Sequence, residues 1–296
     1  MSVLAEQLRM LGRQAGATPA RIAQTEQDRP TGKRSGVAIV RGALPDDLRR
    51  MLGIRSRLQA ATRIVDRELP GLELAPGLLL VERSYDFGEI PARFNGSFAG
   101  AGFEAIERAE LLHFDTETTG LSGGTGTRAF MIGAADWINQ KLRVRQLYLT
   151  AMAGEQAMLE IFAGWLLPET VLVSYNGRCY DSPLLATRYR LARIANPLSG
   201  LRHLDLLFPV RRRFRGIWEN CRLATIERQW LGVIREDDLP GSEAPRAWRD
   251  YLRGESAADL RRVIAHNDQD LRSLSALLLR LGETDADGAL SPHRRS

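Results

Sequence analysis

The sequence predicts an α/β protein in which a mixed sheet is flanked by helices and preceded by a small N-terminal region. Three apolar segments with strand-like patterns follow one another over short connections, which predicts an antiparallel meander. A segment with helical spacing and a fourth short apolar strand come next. Because a strand that returns after a helix is a natural parallel neighbour of the first strand, we expect both kinds of pairing in one sheet.

These elements occupy the middle of the chain. The first strand ends in Leu111–Phe114, and the second is the apolar run Ala129–Trp137. The third, Leu142–Leu149, alternates with the two-residue period of a strand. Apolar residues at helical spacing predict a helix over Gly154–Leu167, and Val171–Ser174 is the fourth strand.

The N-terminal third of the chain contains no chemical motif. Residues 3–11 have helical spacing, residues 15–36 form a polar connector, a second helix is predicted over Pro45–Leu69, and Leu78–Glu82 is a predicted strand. We therefore expect a partly disordered accessory region at 1–105, a domain at 106–283 and a disordered tail at 284–296.

Composition excludes several classes of protein. With 296 residues, of which 44% are hydrophobic and 26% charged, the chain can bury a sizeable core. No uncharged apolar run approaches the roughly 20 residues of a membrane span, and the N-terminus lacks a secretory apolar segment. Cys179 and Cys221 form neither a disulfide framework nor a zinc-like spacing. We expect a cytoplasmic protein with no membrane partner.

The charge balance favours a polyanionic partner. The formal net charge is +5, and Lys33 and Lys141 are the only lysines, so almost all positive charge is arginine. Guanidinium groups suit phosphate oxygens, although a GC-rich genome would produce the same bias.

Two carboxylates stand at the end of the first strand. Side chains alternate across a strand, so Asp115 and Glu117 point to the same face. Two acids on one face are what hard, oxygen-seeking Mg²⁺ or Mn²⁺ prefers. The alternative is an ordinary solvated loop entrance. The glycine-rich loop Ser122–Thr127 has no Walker lysine and precedes a strand, so we expect a flexible turn beside the site.

A second polar segment follows the fourth strand. Asn176-Gly177 predicts a tight turn, and Asp181 stands where the next helix begins. Asp181 could act there as an N-cap without any metal. If its strand lies beside the strand that carries Asp115, however, Asp181 joins the same carboxylate cluster.

The third polar segment lies on the last long helix, predicted over Ala257–Leu281. His266 and Asp270 are four residues apart and share one helical face. Such a pair is also common on protein surfaces, and in cores where both side chains are already hydrogen-bonded. Asp268 points away from that face, and we expect it to be solvated.

Together the three segments resemble the DnaQ-like, or DEDD, 3′-5′ exonucleases of the ribonuclease H-like fold, and among them the YprB-type domains of bacteria. The resemblance covers roughly residues 111–281. It rests on five sequence segments, which are specific for this family only when they occur together. They are FDTETTGLSGGTGT (Phe114–Thr127), SYNGRCYDSPLL (Ser174–Leu185), HLDLLFPVRR (His203–Arg212), DLPGSEAP (Asp238–Pro245) and HNDQDLRSL (His266–Leu274).

The resemblance implies a five-stranded mixed sheet and two Mg²⁺ or Mn²⁺ ions. The implied metal ligands are Asp115, Glu117, Asp181 and Asp270, with His266 as the general base. This histidine precedes the last aspartate by four residues, whereas the DnaQ branch uses five, so its role is less secure than that of the acids. The matching loop implies that three further residues seat the terminal nucleotide, namely Thr118, Gly120 and Leu121.

A basic run between the second and third motifs is a candidate for binding substrate. Arg211, Arg212 and Arg213 lie close to Phe214 and Trp218, and such a mixture can grip phosphates and stack on bases. A solvated loop is the alternative. Asn176 is also assigned to substrate binding.

Three neighbouring segments have a structural expectation. A structural or supporting role is expected for Asp205 in HLDLL. Helices are predicted over Leu223–Leu231 and Ala244–Leu252, and the acidic loop Asp237–Glu243 between them is not expected to touch nucleic acid.

The sequence therefore predicts a metal-dependent nuclease, specifically a 3′-5′ exonuclease acting on DNA or RNA. Two alternatives remain at this point. One is a nucleic-acid-binding module with little catalysis that works with a repair or helicase partner. The other is an endonuclease acting on structured junctions, because the same metal chemistry serves internal cleavage.

Overall fold

The computed structural model describes residues 65–120 and 126–286. Several predicted segments lie outside the described residues. They are the N-terminal helix and connector, most of the helix predicted over Pro45–Leu69, Leu121, most of the Ser122–Thr127 loop and the tail beyond 286. Residues 65–69 are not helical, so the end of the second predicted helix is wrong. Among the described helices, none has the length and apolar character that crossing a bilayer requires.

Strands of the described part form one mixed sheet of seven in the order β1-β2-β7-β6-β5-β8-β9, and a separate pair, β3-β4. The strands are β1 (Leu72–Ala75), β2 (Leu78–Asp86), β3 (Arg93–Phe94), β4 (Ile106–Glu107), β5 (Leu111–Thr118), β6 (Ala129–Ile138), β7 (Lys141–Leu149), β8 (Val171–Ser174) and β9 (Arg202–Asp205).

Helices flank this sheet. They are α1 (Glu155–Ala163), α2 (Asp181–Ala192), α3 (Leu207–Phe214), α4 (Leu223–Ile226), which continues into a wider helical turn over Glu227–Leu231, α5 (Ala244–Leu252) and α6 (Ala258–Ala286). The predicted helices at 154–167, 223–231, 244–252 and 257–281 are thus confirmed within a few residues. Helix α6 continues to Ala286, three residues into the tail predicted at 284–296.

Strand pairing confirms the predicted mixed sheet. β5, β6 and β7 pair antiparallel as a meander, and β8 lies parallel to β5 with Leu111 opposite Val171. β9 extends the parallel part beyond β8. Since β5 and β8 run in the same direction, their carboxyl ends lie at the same edge of the sheet, which is where the polar motifs follow each strand.

The sheet has seven strands and not the five that the resemblance implies. The five correspond to β5–β9, and β2 extends them by pairing with β7 over its whole length, from Leu78 opposite Leu149 to Asp86 opposite Lys141. Residues 72–86 were assigned by sequence to an accessory region, yet they belong to the same sheet as the polar motifs.

The apolar core lies on both faces of the sheet. β5 shows this directly, because Leu111 packs into one hydrophobic cluster and Leu112 and Phe114 into the other. Helix α6 contributes to both clusters, with Leu260 in one and Leu271 in the other. This packing fixes α6 against the strands that carry the first motif.

Candidate active site

Strand β5 carries the first two acids into a buried position. Burial raises the pKa of Asp115 well above its ordinary value, and the charges of Asp270 and Asp181 raise it further. Burial likewise raises the pKa of Glu117, and the charges of Asp270 and Asp181 raise it further. A group feels a neighbour's charge strongly only at short range. Contacts between the motifs agree, because Asn267 of α6 donates a hydrogen bond to Asp115 and Thr116 of β5 donates one to Asp181. The acids of all three motifs therefore lie in one cluster.

Asp181 belongs to this cluster and is not a helix cap. It is the first residue of α2, the residue before it is Tyr180, and no side chain caps the helix. Instead the Thr116 hydroxyl, from the strand of the first motif, donates a hydrogen bond to Asp181. Burial raises the Asp181 pKa to about 6, while the Thr116 hydrogen bond opposes that shift.

Helix α6 supplies Asp270 and His266 to the same place. Burial raises the Asp270 pKa, and the nearby His266 and Arg235 oppose that rise. The His266 Nε2 atom lies 3.6 Å from an Asp270 carboxylate oxygen, as the four-residue spacing predicts. On the other side of the ring, Nδ1 lies 2.6 Å from an oxygen of Asp238. The structure therefore brings together all five residues that were predicted to be catalytic.

Arg235 lies against this cluster and was not found by sequence. Its guanidinium is fixed by two hydrogen bonds to Glu227, of 2.7 and 2.6 Å, and Glu227 is fully buried. The same guanidinium donates to a carboxylate oxygen of Asp270 and lies 3.1 Å from His266 Nδ1 and 3.6 Å from Asp238. A built-in cation thus compensates part of the negative charge of the cluster.

The donor set of the cluster fits a hard divalent cation, although its oxygen atoms do not surround a common point. Within the described residues, no three His, Cys, Asp or Glu side chains already form a group that could hold a metal ion. Among the described residues, the side chains that donate hydrogen bonds to Asp115 and Asp181 are the neutral groups of Asn267 and Thr116. Because carboxylate oxygens are the ligands that Mg²⁺ and Mn²⁺ prefer, a cation would relieve the repulsion that raises these pKa values.

A buried amide network positions Asp115. The Asn267 amide donates to Asp115 at 2.8 Å, and its oxygen accepts from Gln146 of β7 at 2.9 Å. Gln146 also donates to the Ile264 carbonyl at 2.8 Å. Gly133 of β6 lies opposite Asp115 in the register, and a Cβ there would lie 2.1 Å from the Asn267 side-chain oxygen. Glycine at 133 therefore leaves the space that Asn267 fills.

One prediction on the third motif is wrong. Asp268 is buried and not solvated, because the Tyr85 hydroxyl donates to it and Arg83 and Arg272 form ion pairs with it. The acidic loop 237–243 was predicted not to touch nucleic acid, which stays a prediction, and its Asp238 contacts His266.

Asp205 has the structural role that was expected. It is buried at the end of β9 and accepts hydrogen bonds from three backbone amides, those of Asn176, Arg178 and Leu207, at 2.7, 3.1 and 3.1 Å. The carboxylate thereby fixes the turn after β8, where Asn176 has a left-handed backbone with φ of 70°. The predicted Asn176-Gly177 turn is confirmed.

A small pocket adjoins the cluster between the end of β5 and the start of α2. Its volume is about 150 Å³, and its lining includes Thr118, Gly120 and Asp181. The Thr118 hydroxyl donates to the Gly120 carbonyl at 2.9 Å, which holds the end of β5 in a turn. Two of the three residues predicted to seat a terminal nucleotide thus share a pocket with Asp181, and the third, Leu121, lies outside the described residues.

The basic run is helical and not a solvated loop. Arg211, Arg212 and Arg213 lie in the last turn of α3. Arg212 donates to the Phe98 carbonyl, and the Arg213 guanidinium lies over the Trp230 ring at 5.5 Å. Among the described residues, none of the three contacts a carboxylate of the cluster.

Sequence reasoning missed Arg235, Asn267 and Gln146. Gln146 could have been found, because it is a polar residue among the apolar residues on one face of β7. A buried amide at such a position needs a hydrogen-bond partner. The position of Asn267 in the sequence, between His266 and Asp270, could have indicated a role in the site. For Arg235 no local pattern distinguishes it from the other arginines.

Comparisons with known proteins agree with this fold. A sequence model described as RNase_H superfamily matches residues 112–281. The protein YprB of Bacillus subtilis (strain 168) is 33% identical over 194 residues, which are 65% of this chain and 47% of that protein. The match thus spans about half of the relative's length.

Solved structures also give matches. A family B DNA polymerase from Pyrobaculum calidifontis matches with a TM-score of 0.45 and 16% identity, over 58% of this chain and 24% of the polymerase. Exonuclease I of E. coli in complex with a dT13 oligonucleotide matches with a TM-score of 0.36 and 16% identity, over 55% of this chain and 45% of the enzyme.

Proposed function

The chain belongs to the RNase H superfamily, and from this membership and its site we propose that it is a metal-dependent nuclease that removes nucleotides from the 3′ end of DNA or RNA. One observation supports the proposal most. Four acids from three separate segments lie in one buried cluster, where burial and then the charges of Asp270 and Asp181 raise the pKa values of both Asp115 and Glu117. Such a cluster costs stability unless it serves a cation, so a purely structural role does not explain it.

The proposed ligands are the four acids of the cluster, Asp115, Glu117, Asp181 and Asp270. These residues would hold two Mg²⁺ or Mn²⁺ ions, and the chemistry supplied there would be activation of a water molecule and stabilisation of charge on the leaving 3′-oxygen. The chain itself orients the ligands, through Asn267 for Asp115 and Thr116 for Asp181.

His266 is the proposed general base. Two groups compete for Nδ1: the Asp238 carboxylate, which can only accept, at 2.6 Å, and the Arg235 guanidinium, which can only donate, at 3.1 Å. The shorter contact is with Asp238, so we place the proton of the neutral ring on Nδ1. Nε2 then keeps its lone pair and lies on the Asp270 side of the ring, where it can take a proton from the attacking water.

The pocket beside the cluster supports action at a chain end. Its volume of about 150 Å³ is small, and its lining combines backbone turns with Asp181. A terminal nucleotide held there would present its phosphodiester bond to the acids. A junction-cleaving endonuclease would need an open groove at this position.

The test is digestion of 5′-labelled single- and double-stranded DNA and RNA with Mg²⁺ or Mn²⁺. We expect a ladder that shortens from the 3′ end and disappears with EDTA. Asp115→Asn keeps the shape of the side chain but removes its charge, and should lower the rate at least about 100-fold. Asp259→Asn makes the same change on the exposed start of α6 and should leave the rate unchanged.

Two results would contradict the proposal. Cleavage that survives both EDTA and Asp115→Asn would point to a contaminating nuclease. Binding without any cleavage would instead support the alternative of a nucleic-acid-binding module.

A further inference from the structure

A second pocket, outside the carboxylate cluster, is lined by three exposed arginines and a tryptophan. We name it the Arg211 pocket, and its volume is about 400 Å³. Its lining includes Arg211, Arg215, Arg222 and Trp218, with Glu219 and Cys221 beside them. The volume is within the range of pockets that bind small molecules or parts of larger ones.

The three arginines of the pocket are not used by the fold. Within the described part of the chain, the side chains of Arg211, Arg215 and Arg222 form no hydrogen bond and no ion pair. The one acid in the lining, Glu219, is paired with Arg228. The pocket therefore presents three uncompensated guanidinium groups, and these are well suited to phosphate oxygens.

The aromatic wall of the pocket is rigid. Trp218 stacks on Phe214 with ring centroids 4.2 Å apart and an angle of 17°, and Phe214 contacts Trp230 at 4.9 Å. Phe214 is buried, whereas Trp218 is half-buried and lines the pocket. Part of a fixed aromatic ring is thus available for a base to stack on.

The pocket adjoins the edge of the sheet that carries the acids. Tyr175 directly follows β8, and its hydroxyl donates to the Cys221 carbonyl in the pocket wall at 2.6 Å. Arg211 lies close enough to Tyr175 for its charge to oppose the rise in the tyrosine's pKa that burial causes. The same turn after β8 leads to Asp181.

We propose that the Arg211 pocket binds the sugar-phosphate backbone of a single-stranded segment of nucleic acid, with Trp218 as a stacking surface for one base. Free guanidinium groups beside an aromatic ring are the combination that binds single strands, since a duplex hides the faces of its bases. The proposal rests on the proposed function in one respect: the bound segment belongs to the strand whose 3′ end lies at the acids.

The test measures binding by fluorescence anisotropy, with the full chain, EDTA and fluorescein-labelled single strands. The triple variant Arg211→Ala, Arg215→Ala, Arg222→Ala should weaken binding at least tenfold. The slope of log affinity against log salt should fall by about 2, because each phosphate contact contributes about 0.7. The control, Arg190→Ala, Arg193→Ala, Arg249→Ala, removes three exposed arginines elsewhere and should change affinity less than twofold.

Two further variants separate charge from stacking. Replacing the three pocket arginines by lysine should restore most of the salt slope. Trp218→Ala should weaken binding of a single strand while leaving the salt slope unchanged, because stacking releases no counterions.

Equal losses in the two triple-alanine variants would overturn the proposal, since they would show only the general effect of net charge. Binding of an acidic polyglutamate peptide in preference to the oligonucleotide would also overturn it. Failure of the proposed function would give a different result from failure of this proposal. A protein that cleaves no nucleic acid can still lose binding when the pocket arginines are removed and keep it in the control variant.

Discussion

At the scale of single residues, the site depends on neutral groups that hold charged ones. Asn267 is fully buried and is the hydrogen-bond donor that orients Asp115. A buried donor or acceptor that loses its partner costs more than the bond itself contributed, because the group was already removed from water.

Asn267→Ala should therefore lower both stability and activity. It leaves one oxygen of Asp115 without its donor, and we expect a loss of about 1–3 kcal/mol in the free energy of unfolding, measured with urea. Nuclease activity should fall about 10- to 100-fold, as for groups that orient metal ligands. Gln269→Ala, which removes an amide from the same helix away from Asp115, is the control. An equal loss of activity in both variants would contradict this role for Asn267.

Arg235 and Glu227 form a buried ion pair that also serves the cluster. Arg235→Gln leaves the buried Glu227 carboxylate unpaired and should cost about 3–5 kcal/mol in the free energy of unfolding. The double variant Glu227→Gln, Arg235→Gln removes both charges and should cost less than Arg235→Gln alone. Urea unfolding of the two variants and of Glu227→Gln measures this coupling, and strictly additive losses would show that the pair does not act as a unit.

At the scale of elements, the site forms where α6 packs on the sheet. Gly133 of β6 permits this approach, because a Cβ at that position would lie 2.1 Å from the Asn267 oxygen and 2.8 Å from a Leu271 methyl carbon. The same helix carries Asp270, whose charge adds to the effect of burial in raising the pKa of Asp115 on β5.

Gly133→Ala should push α6 away from the sheet. We expect a loss of about 1–3 kcal/mol in the free energy of unfolding from overpacking, together with a loss of activity. Gly282→Ala lies on α6 itself, where the nearest atom to a new Cβ is the Asn95 carbonyl oxygen at 3.4 Å. This control should be neutral or stabilising, since alanine favours a helix. Unchanged activity in Gly133→Ala would show that the close approach of α6 is not required.

These contacts explain which elements the sequence could predict. The β5–β8 strands and α6 follow from local periodicity, and the predicted parallel pairing of β5 with β8 brings Asp181 beside Asp115. The assignment of Asp270 to the same site came from the family resemblance. Arg235 could not be predicted, because its partners Glu227 and Asp270 are linked to it only by the folded chain. Asp268 was misjudged for a related reason, since Tyr85 lies on a strand that the sequence assigned to a separate region.

At the scale of the whole molecule, two sets of buried groups respond to pH in opposite directions. Burial lowers the pKa of His113 and of His203 to about 4. The folded state therefore favours their neutral form, and this contribution is present above the unfolded pKa near 6.5 and is lost as the pH falls towards 4. Above pH 6.5 the contribution of these histidines to stability no longer depends on pH.

The acids of the cluster behave in the opposite way. Burial raises the Asp181 pKa to about 6, and burial with neighbouring charges raises those of Asp115 and Glu117 well above their ordinary values. A carboxyl group whose pKa is raised by folding contributes most below its unfolded pKa, and that contribution is lost as the pH rises through the folded value. Without metal, stability should therefore decrease as the pH rises above 6.5.

Thermal unfolding in EDTA should accordingly give a lower Tm at pH 8 than at pH 6.5. Added Mg²⁺ should raise the Tm more at pH 8, where the ligands are more fully ionised and binding need not displace protons. In the double variant Asp115→Asn, Asp181→Asn, both the pH dependence and the effect of Mg²⁺ should shrink, because the groups that repel one another and bind the cation are gone. A metal-free Tm that stays level or rises towards pH 8 would contradict the raised pKa values of these acids.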